Sequence, residues 1–536
     1  MAITFHHPDG SLKVENRADS TILQLAQNSG LPIDAKCGGK GSCGRCVVWL
    51  GCGNYEVCTQ KVEVGTGQRR EALACQCTVL GQDAEIYLPR STLIATEGAG
   101  IISTFKLPAT FNSSLQVTNG YGVAVDIGTT TVVAMLIKLD TGEITDCQSL
   151  YNQQILQADD VISRIALCAD TGGLRTLQKL IIEKTLNPLI GRLCANSAIN
   201  STEITRLSLA GNTVMLHIFY GVSPVSIGVL PFTPRQRSFT SNANKLGINI
   251  LSSATVEAVP AISGFLGGDL TADIYVSGLL QRAGCTLLID IGTNGEIALC
   301  DNARIFACAT AAGPAFEGAG IMHGTRAVNG AIEAVSFNES LDFNISVIGD
   351  TAPRGLCGSA IIDFIAEGFR CGLINMMGRF NIELLQKRGC YTAVNGTHAC
   401  VLFRATNSDN EIDIVITERD IAEILKAKAA IYGGIKTLLK EVGRTIHDLD
   451  QIILAGGFAA YINLLNAFEM GLLPNIGVEH YEIIGNGSLA GAAALLLNQQ
   501  LADEYRALID KPQIIHLNST ENFSEYFQDA IVIPNL

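Results

Sequence analysis

Hydrophobic and polar positions give this chain three textures. Near the start, ITFHH (3–7) and SLKVEN (11–16) alternate on either side of Pro8-Asp9-Gly10, which predicts a β-hairpin. The next stretch, DSTILQLAQNSG (19–30), predicts a short helix capped by Ser20, with Leu23 and Ala26 inward and Gly30 as its stop. Much later, YGVAVDIGTTTVVAML (121–136) and TLLIDIGTNGEIALC (286–300) repeat one design: an apolar run, Asp-Ile-Gly-Thr, and a second apolar run. Each copy reads as strand, tight turn, strand, and the recurrence predicts a duplicated domain. Between these textures, residues 91–120 hold Gly, Ser, Thr and Asn with weak periodicity and read as a linker. The longest uncharged stretch, 207–234, is broken by Asn212 and three prolines, so it reads as buried strand and loop, not as a membrane span.

Composition narrows the class. Of 536 residues 48% are hydrophobic and only 16% are charged, enough apolar material for several cores. The net charge of -14, without basic runs, argues against nucleic acid or an anionic membrane as partner. The start, MAITFHHPDG, lacks the basic-then-apolar pattern of an export signal, so the expected location is cytoplasmic.

Cysteine is the anomaly. Seven of the 17 cysteines fall between Cys37 and Cys77, and in a reducing compartment such a cluster points to metal ahead of disulfides. Cys37, Cys43 and Cys46 lie in CGGKGSCGRC, where glycines let the backbone fold tightly and aim N–H groups at sulfur. A fourth thiol comes from LACQC, where Cys75 is favoured over Cys77, two residues on and on the same face if the segment is a strand. A structural zinc site is the other reading, but such sites usually pair two short-gap knuckles, and only one short gap exists here.

This stretch resembles plant-type and adrenodoxin-type ferredoxins, with the five-residue first gap of the adrenodoxin-like branch. The resemblance implies a β-grasp domain over residues 1–90, carrying a 2Fe–2S cluster on Cys37, Cys43, Cys46 and Cys75.

The paired Asp-Ile-Gly-Thr hairpins resemble those of the actin, hexokinase, Hsp70 and acetate-kinase superfamily, whose two ribonuclease-H-like lobes each offer one hairpin to the phosphates of ATP. IILAGGFAAY (452–461) resembles its adenosine-binding turn, GNGSLAGAAALL (485–496) its small-residue connecting helix, and PRGLCGSAIIDFI (353–365) an anion-friendly helix start. The implied fold is α/β: a first lobe over 121–285, a second over 286–500 and a C-terminal extension over 501–536. By position, Gly128, Thr129, Thr130, Gly292, Thr293 and Asn294 would approach phosphates. Gly355, Gly358 and Ser359 form a further candidate anion site, and Gly456, Gly457 and Phe458 the adenosine turn. Asp126 and Asp290 would hold Mg²⁺ through water or orient the attacking water. Glu317, in GPAFEGAG, is a candidate catalytic residue, with helix capping as its other reading. His217 and His323 read as core or loop histidines.

A ferredoxin followed by this ATPase fold resembles the reductive activators of corrinoid proteins. NQQ with DDVISRI (152–165), LAGNTVMLHIF (209–219), PFTP (231–234), SGFLGGD (263–269) and ATAAGPAFEGAGI (309–321) carry the likeness along nearly the whole chain. The family reduces the Co(II) corrinoid of methyl-transfer proteins to Co(I), with ATP driving the step. The resemblance therefore implies a 2Fe–2S cluster, ATP and Mg²⁺ as cofactors, and a corrinoid protein and a low-potential electron donor as partners; it also points to a homodimer. No C-terminal pair of four-cysteine runs is present, so the extra 4Fe–4S clusters of archaeal relatives are not expected. Two alternatives come from other classes. One is an activator of a different metalloenzyme, although such activators share a 4Fe–4S cluster across a dimer. The other is a module that senses corrinoid state without hydrolysis.

Overall fold

The computed structural model describes residues 2–7, 10–17, 20–29, 31, 33, 35, 39, 41, 46–81, 83–89, 92, 119–158, 160–338, 343–405 and 413–534. The chain divides into two units, Met1–Thr96 with Glu317–Ile424, and Glu97–Phe316 with Leu425–Leu536.

The N-terminal part forms as its alternation requires. Strands Ala2–His7 and Gly10–Glu15 pair antiparallel, and the first also pairs in parallel with Ala84–Tyr87. The five-stranded sheet runs Gly10–Glu15, Ala2–His7, Ala84–Tyr87, Val47–Leu50, Arg70–Leu73. Its buried side chains, among them Phe5, Val48 and Ile86, pack with Ile22, Leu25 and Ala26 of the helix Ile22–Asn28. This is a β-grasp arrangement. Thr21, not Ser20, caps the helix. Its hydroxyl accepts from Gln24 N at 3.2 Å while the Gln24 side chain accepts from Thr21 N at 2.9 Å. Three residues after Ser20 stands Leu23, which cannot reach back in this way. Gly30 lies outside the described residues, as does nearly all of the 91–120 segment. Thr92 is described, and its hydroxyl donates to Val47 O at 2.6 Å.

Segment 317–424, read from sequence as part of the second lobe, groups with the first unit. It holds two three-stranded sheets and the helix Gly358–Arg370.

The second unit contains the duplication. One six-stranded sheet runs Ile144–Tyr151, Thr131–Lys138, Tyr121–Ile127, Ile204–Ala210, Thr255–Ala258, Thr240–Asn242. The other runs Tyr481–Gly485, Gln451–Ala455, Cys285–Ile291, Gly295–Asp301, Arg304–Thr310, Gln513–Ile514. In each, three antiparallel strands are followed by two that run parallel to the first strand. The last strand, Gln513–Ile514, belongs to the 501–536 extension and completes the second sheet. Lys428 also ties down this end, with Nζ donating to Met470 O and Val532 O, each at 2.6 Å.

Two sequence expectations change here. The 207–234 stretch is not only strand and loop. Asn212 caps a helix, Thr213–Phe219, by accepting from Met215 N at 3.0 Å. All seven of its residues are buried, so no polar face marks its period. Cys75 is not on a strand. It sits in a single 3₁₀ turn, Ala74–Gln76, where Ala74 N turns aside to Cys46 O at 2.7 Å.

Candidate functional site: two phosphate turns over buried carboxylates

The described half of the cysteine site is compact. Cys46 and Cys75 are both buried, and the bond from Ala74 N to Cys46 O holds their segments side by side. Gly39 and Gly41 have φ of +85° and +76°, and a Cβ at Gly39 would lie 3.9 Å from the Cys75 Cβ, so this glycine passes close to Cys75. Cys37 and Cys43 lie outside the described residues. Cys77 begins the strand Cys77–Val79 and pairs with Val57, and burial, then Cys58 and Cys75, push its thiol up to about 12.

In the second unit, Asp126 and Asp290 end the first strands of the two lobes. The parallel neighbours meet them in identical register, Ala210 beside Asp126 and Ala455 beside Asp290. Leu-Ala-Gly-Asn (209–212) and Leu-Ala-Gly-Gly (454–457) are therefore one repeated element, a signal that sequence reading passed over. A Cβ on Gly211 would lie 2.7 Å from Ile127 O, and one on Gly456 would lie 2.9 Å from Ile291 O. Both glycines let a turn lie directly on an Asp-Ile-Gly-Thr hairpin. Gly456, with φ +93°, also backs onto Asp290. Beyond Gly457, Phe458 stacks on Phe316 with ring centroids 5.3 Å apart.

The first turn is gripped from behind. Gly128 O accepts from Asn152 Nδ2 at 3.0 Å and Thr129 O from Arg164 Nη2 at 2.6 Å. Thr129 Oγ1 accepts from Asn212 Nδ2 at 3.0 Å, and Thr130 O from Asn152 N at 2.9 Å. In a trans peptide C=O and N–H point in opposite directions. The N–H groups of Thr129 and Thr130 therefore point away from these donors, as an anion-binding turn requires. The second turn is closed by Gly292 N donating to Asn294 O at 3.1 Å, with Thr293 and Asn294 half-buried.

Beneath the turns is a set of carboxylates that sequence reading only partly found. Asp126 accepts from Asn486 Nδ2 at 2.9 Å and Ser488 Oγ at 3.0 Å, at the start of the helix Gly487–Leu497. Asp269 and Asp273 come from the helix Gly268–Val276, and Glu296 from the strand after the second turn. Burial, then Asp290, Asp269 and Asp126, push the Asp273 carboxyl far above its usual range. Glu296 is raised in the same way by burial, Asp269, Asp290 and Asp273. Burial also raises the Asp269 carboxyl, which lies within hydrogen-bonding reach of Glu296. As a carboxylate Asp273 finds no donor for either oxygen; as an acid it can donate to Asp290. The signal for these residues was SGFLGGD, in which Asp269 was in view without a role. The two helices that frame the cluster touch through Gly491 against Ala272 and Gly487 against Asp273. Among the described residues, no three acidic, histidine or cysteine side chains are spaced to hold one metal ion directly.

The remaining sequence candidates belong to the first unit. Glu317 ends the 3₁₀ turn Pro314–Glu317 and is ion-paired with Arg326 at 2.8 Å. Ser359 Oγ donates to Glu333 O at 2.7 Å, so its hydroxyl hydrogen is already committed. A Cβ on Gly355 would press to 2.8 Å from His323 O, and Gly358 is the first residue of its helix. His323 Nδ1 accepts from Val415 N at 2.9 Å; His217, in the second unit, is fully buried with Nδ1 on Thr213 O at 2.7 Å.

The fold and the two turns define an iron–sulfur protein with an actin-type nucleotide fold. Comparisons with known proteins narrow the class. Residues 6–80 match the 2Fe-2S iron-sulfur cluster binding domain, 121–282 the RACo middle region, and 284–536 the C-terminal domain of RACo, the ASKHA domain. The chain is 31% identical to the corrinoid activation enzyme RamQ of Eubacterium limosum, over 96% of each protein. It is 25% identical to the Co(II) methylated amine-specific corrinoid protein reductase of Methanosarcina barkeri, over 76% of each. A solved structure titled reductive activator for corrinoid, iron-sulfur protein aligns with a TM-score of 0.73 at 29% identity, covering 100% of this chain and 98% of that one. The chain belongs to the family of corrinoid activation enzymes. Among the described residues, no helix is long and apolar enough to cross a membrane.

Proposed function

We propose that this chain reduces the Co(II) corrinoid of a methyl-transfer protein to Co(I), one electron at a time, with ATP hydrolysis driving the unfavourable transfer. The observation that carries this reading is the convergence of Asp126 and Asp290, from the two repeats, on the buried Asp273, in a chain that also bears a ferredoxin domain.

The ferredoxin residues fit a cluster, because Cys46 and Cys75 are buried neighbours beside a loop that turns through Gly39 and Gly41. Cys37, Cys43, Cys46 and Cys75 would hold it, and when bound it supplies a one-electron carrier of low potential. Mg²⁺ fits the second unit on a different observation, the buried oxygens of Asp273 and Glu296 that find no donor while ionised. Without three side chains spaced for direct ligation, the ion would be held through water by Asp126, Asp290 and these neighbours. Mg²⁺ would offset charge on the phosphates. The chain itself supplies the outward N–H groups of Thr129 and Thr130 and the fixed oxygens of Asp126. The Phe316–Phe458 stack closes the side where the adenosine turn lies. The chain's acidity favours a partner with a complementary, less acidic face.

The test is to mix the reduced protein with a Co(II) corrinoid protein and follow the visible spectrum with and without Mg-ATP. Co(I) should form only with both. Equal Co(I) formation without nucleotide would refute ATP as the driver, and binding without turnover would favour a sensing module.

A further inference from the structure

We propose that Arg164 is a positioning residue for the nucleotide. In this inference, which rests on the ATP reading above, its guanidinium fixes the first phosphate turn with the N–H groups outward and so sets the affinity for ATP.

Arg164 is wholly buried, on the helix Val161–Ala169. Besides Thr129 O, its fork reaches Gln154 Oε1 at 2.8 Å and Met215 Sδ at 2.9 Å through Nη1, and Ala158 O at 3.1 Å through Nε. Gln154 lies on the one-turn helix Gln153–Leu156 and Met215 on the capped helix Thr213–Phe219, the two elements that grip the turn. Gln154 sits two residues after Asn152, which grips Gly128 O, and donates onward to Leu177 O at 2.9 Å. Met215 is the residue whose N–H bonds Asn212, the cap that grips Thr129 Oγ1. One rigid planar group thus sets the spacing of turn, one-turn helix and capped helix together.

The bond to Thr129 O has a directional consequence. It fixes the peptide plane between Thr129 and Thr130, and with it the outward direction of Thr130 N–H. A lysine could reach one of these acceptors but cannot hold the fork. An apolar replacement would fill the volume and leave the Thr129 carbonyl free to flip, turning the N–H inward.

The test compares R164K, R164M and Q154L with the wild-type chain by equilibrium ATP binding and by steady-state ATP hydrolysis, with iron content as a control. Gln154→Leu removes one arm of the fork and leaves Arg164 in place. The expected result is a Kd and KM for ATP raised about tenfold or more in both Arg164 variants and about threefold in Q154L, with smaller changes in kcat and unchanged iron. A strut with no role in nucleotide binding would lower the unfolding temperature and leave Kd as it was. Wild-type affinity in a folded R164K or R164M overturns the proposal. If neither folds, wild-type affinity in Q154L overturns it. Failure of the wild-type chain to bind ATP would instead remove the nucleotide reading on which it rests.

Discussion

The hydroxyl of Ser488 donates to Asp126 Oδ1 across 3.0 Å, joining residues 362 apart in the chain. Asn486 takes the other oxygen at 2.9 Å, so both oxygens of the first-lobe carboxylate are set by the first turn of a helix that follows the second lobe's last parallel strand. Ser208 Oγ of the first lobe also donates to Ala492 O, so the same helix is held on the first-lobe sheet and keeps Asp126 oriented there.

Ser488→Ala should leave the second unit folded and slow ATP turnover. A hydrogen bond to a charged group contributes about 1.5–3 kcal/mol, equivalent to roughly tenfold to a hundredfold in rate if all of it acts in the transition state. The measurement is kcat at saturating Mg-ATP, with iron content unchanged. Wild-type kcat would mean that the orientation of Asp126 is immaterial to hydrolysis.

Replacing Cys75 with Ser should abolish or strongly shift the EPR signal of the reduced cluster, whereas Cys77→Ser should preserve it. Both thiols are buried, but only Cys75 sits on the turn bonded to the Cys46 backbone; Cys77 is held in a ladder against Val57. Reversed results would exchange the two assignments.

How much was legible follows from what each signal depends on. The hairpin of the ferredoxin and the two phosphate hairpins are local in sequence, and their alternation and Asp-Ile-Gly-Thr turns placed them correctly. The helix Thr213–Phe219 escaped because complete burial erases its amphipathic period. Asp273 and Glu296 escaped for another reason. Their significance lies in charges brought together from separate elements, and an isolated Asp in TADIYV or Glu in NGEIAL carries no mark of that. Arg164 lies within DDVISRI without standing out, since a buried arginine looks like any other in one dimension. The repeat of Leu-Ala-Gly was readable, and its meaning needed the register of Ala210 and Ala455 beside the two aspartates.

That register makes a paired prediction. Gly211→Ala and Gly456→Ala each push a methyl toward a hairpin carbonyl, 2.7 Å from Ile127 O and 2.9 Å from Ile291 O. Gly456 adds a left-handed φ of +93° and a contact 2.6 Å from Asp290 Oδ1, so its variant should displace that carboxylate as well. Gly211→Ala should cost stability by about 1–3 kcal/mol through overpacking. Gly456→Ala should cost at least as much and also lose ATP hydrolysis in whatever fraction remains folded. Equal specific activity in the two variants would remove the adenosine turn from the site.

Asp273 has an ordinary value of 3.8 and is raised well above it, first by burial and then by Asp290, Asp269 and Asp126. Below pH 3.8 it is protonated in both folded and unfolded chains, and its contribution to stability is fully present. As pH rises above that value the unfolded chain loses the proton while the folded chain keeps it, so stability falls until the raised value is passed. Asp273→Asn keeps a neutral side chain of the same shape and removes this loss. In protein free of Mg²⁺ and nucleotide, the variant should gain stability over wild type as pH rises above 3.8, by about 1.4 kcal/mol per unit while the folded proton is retained. Hydrogen exchange on the helix Gly268–Val276 is the suitable readout, because the one tryptophan, Trp49, lies in the ferredoxin sheet and reports on the wrong unit. The same variant should lose Mg-dependent ATP turnover, since an amide cannot exchange its proton for a cation. A stability difference that is flat with pH would show that Asp273 is already ionised in the folded chain.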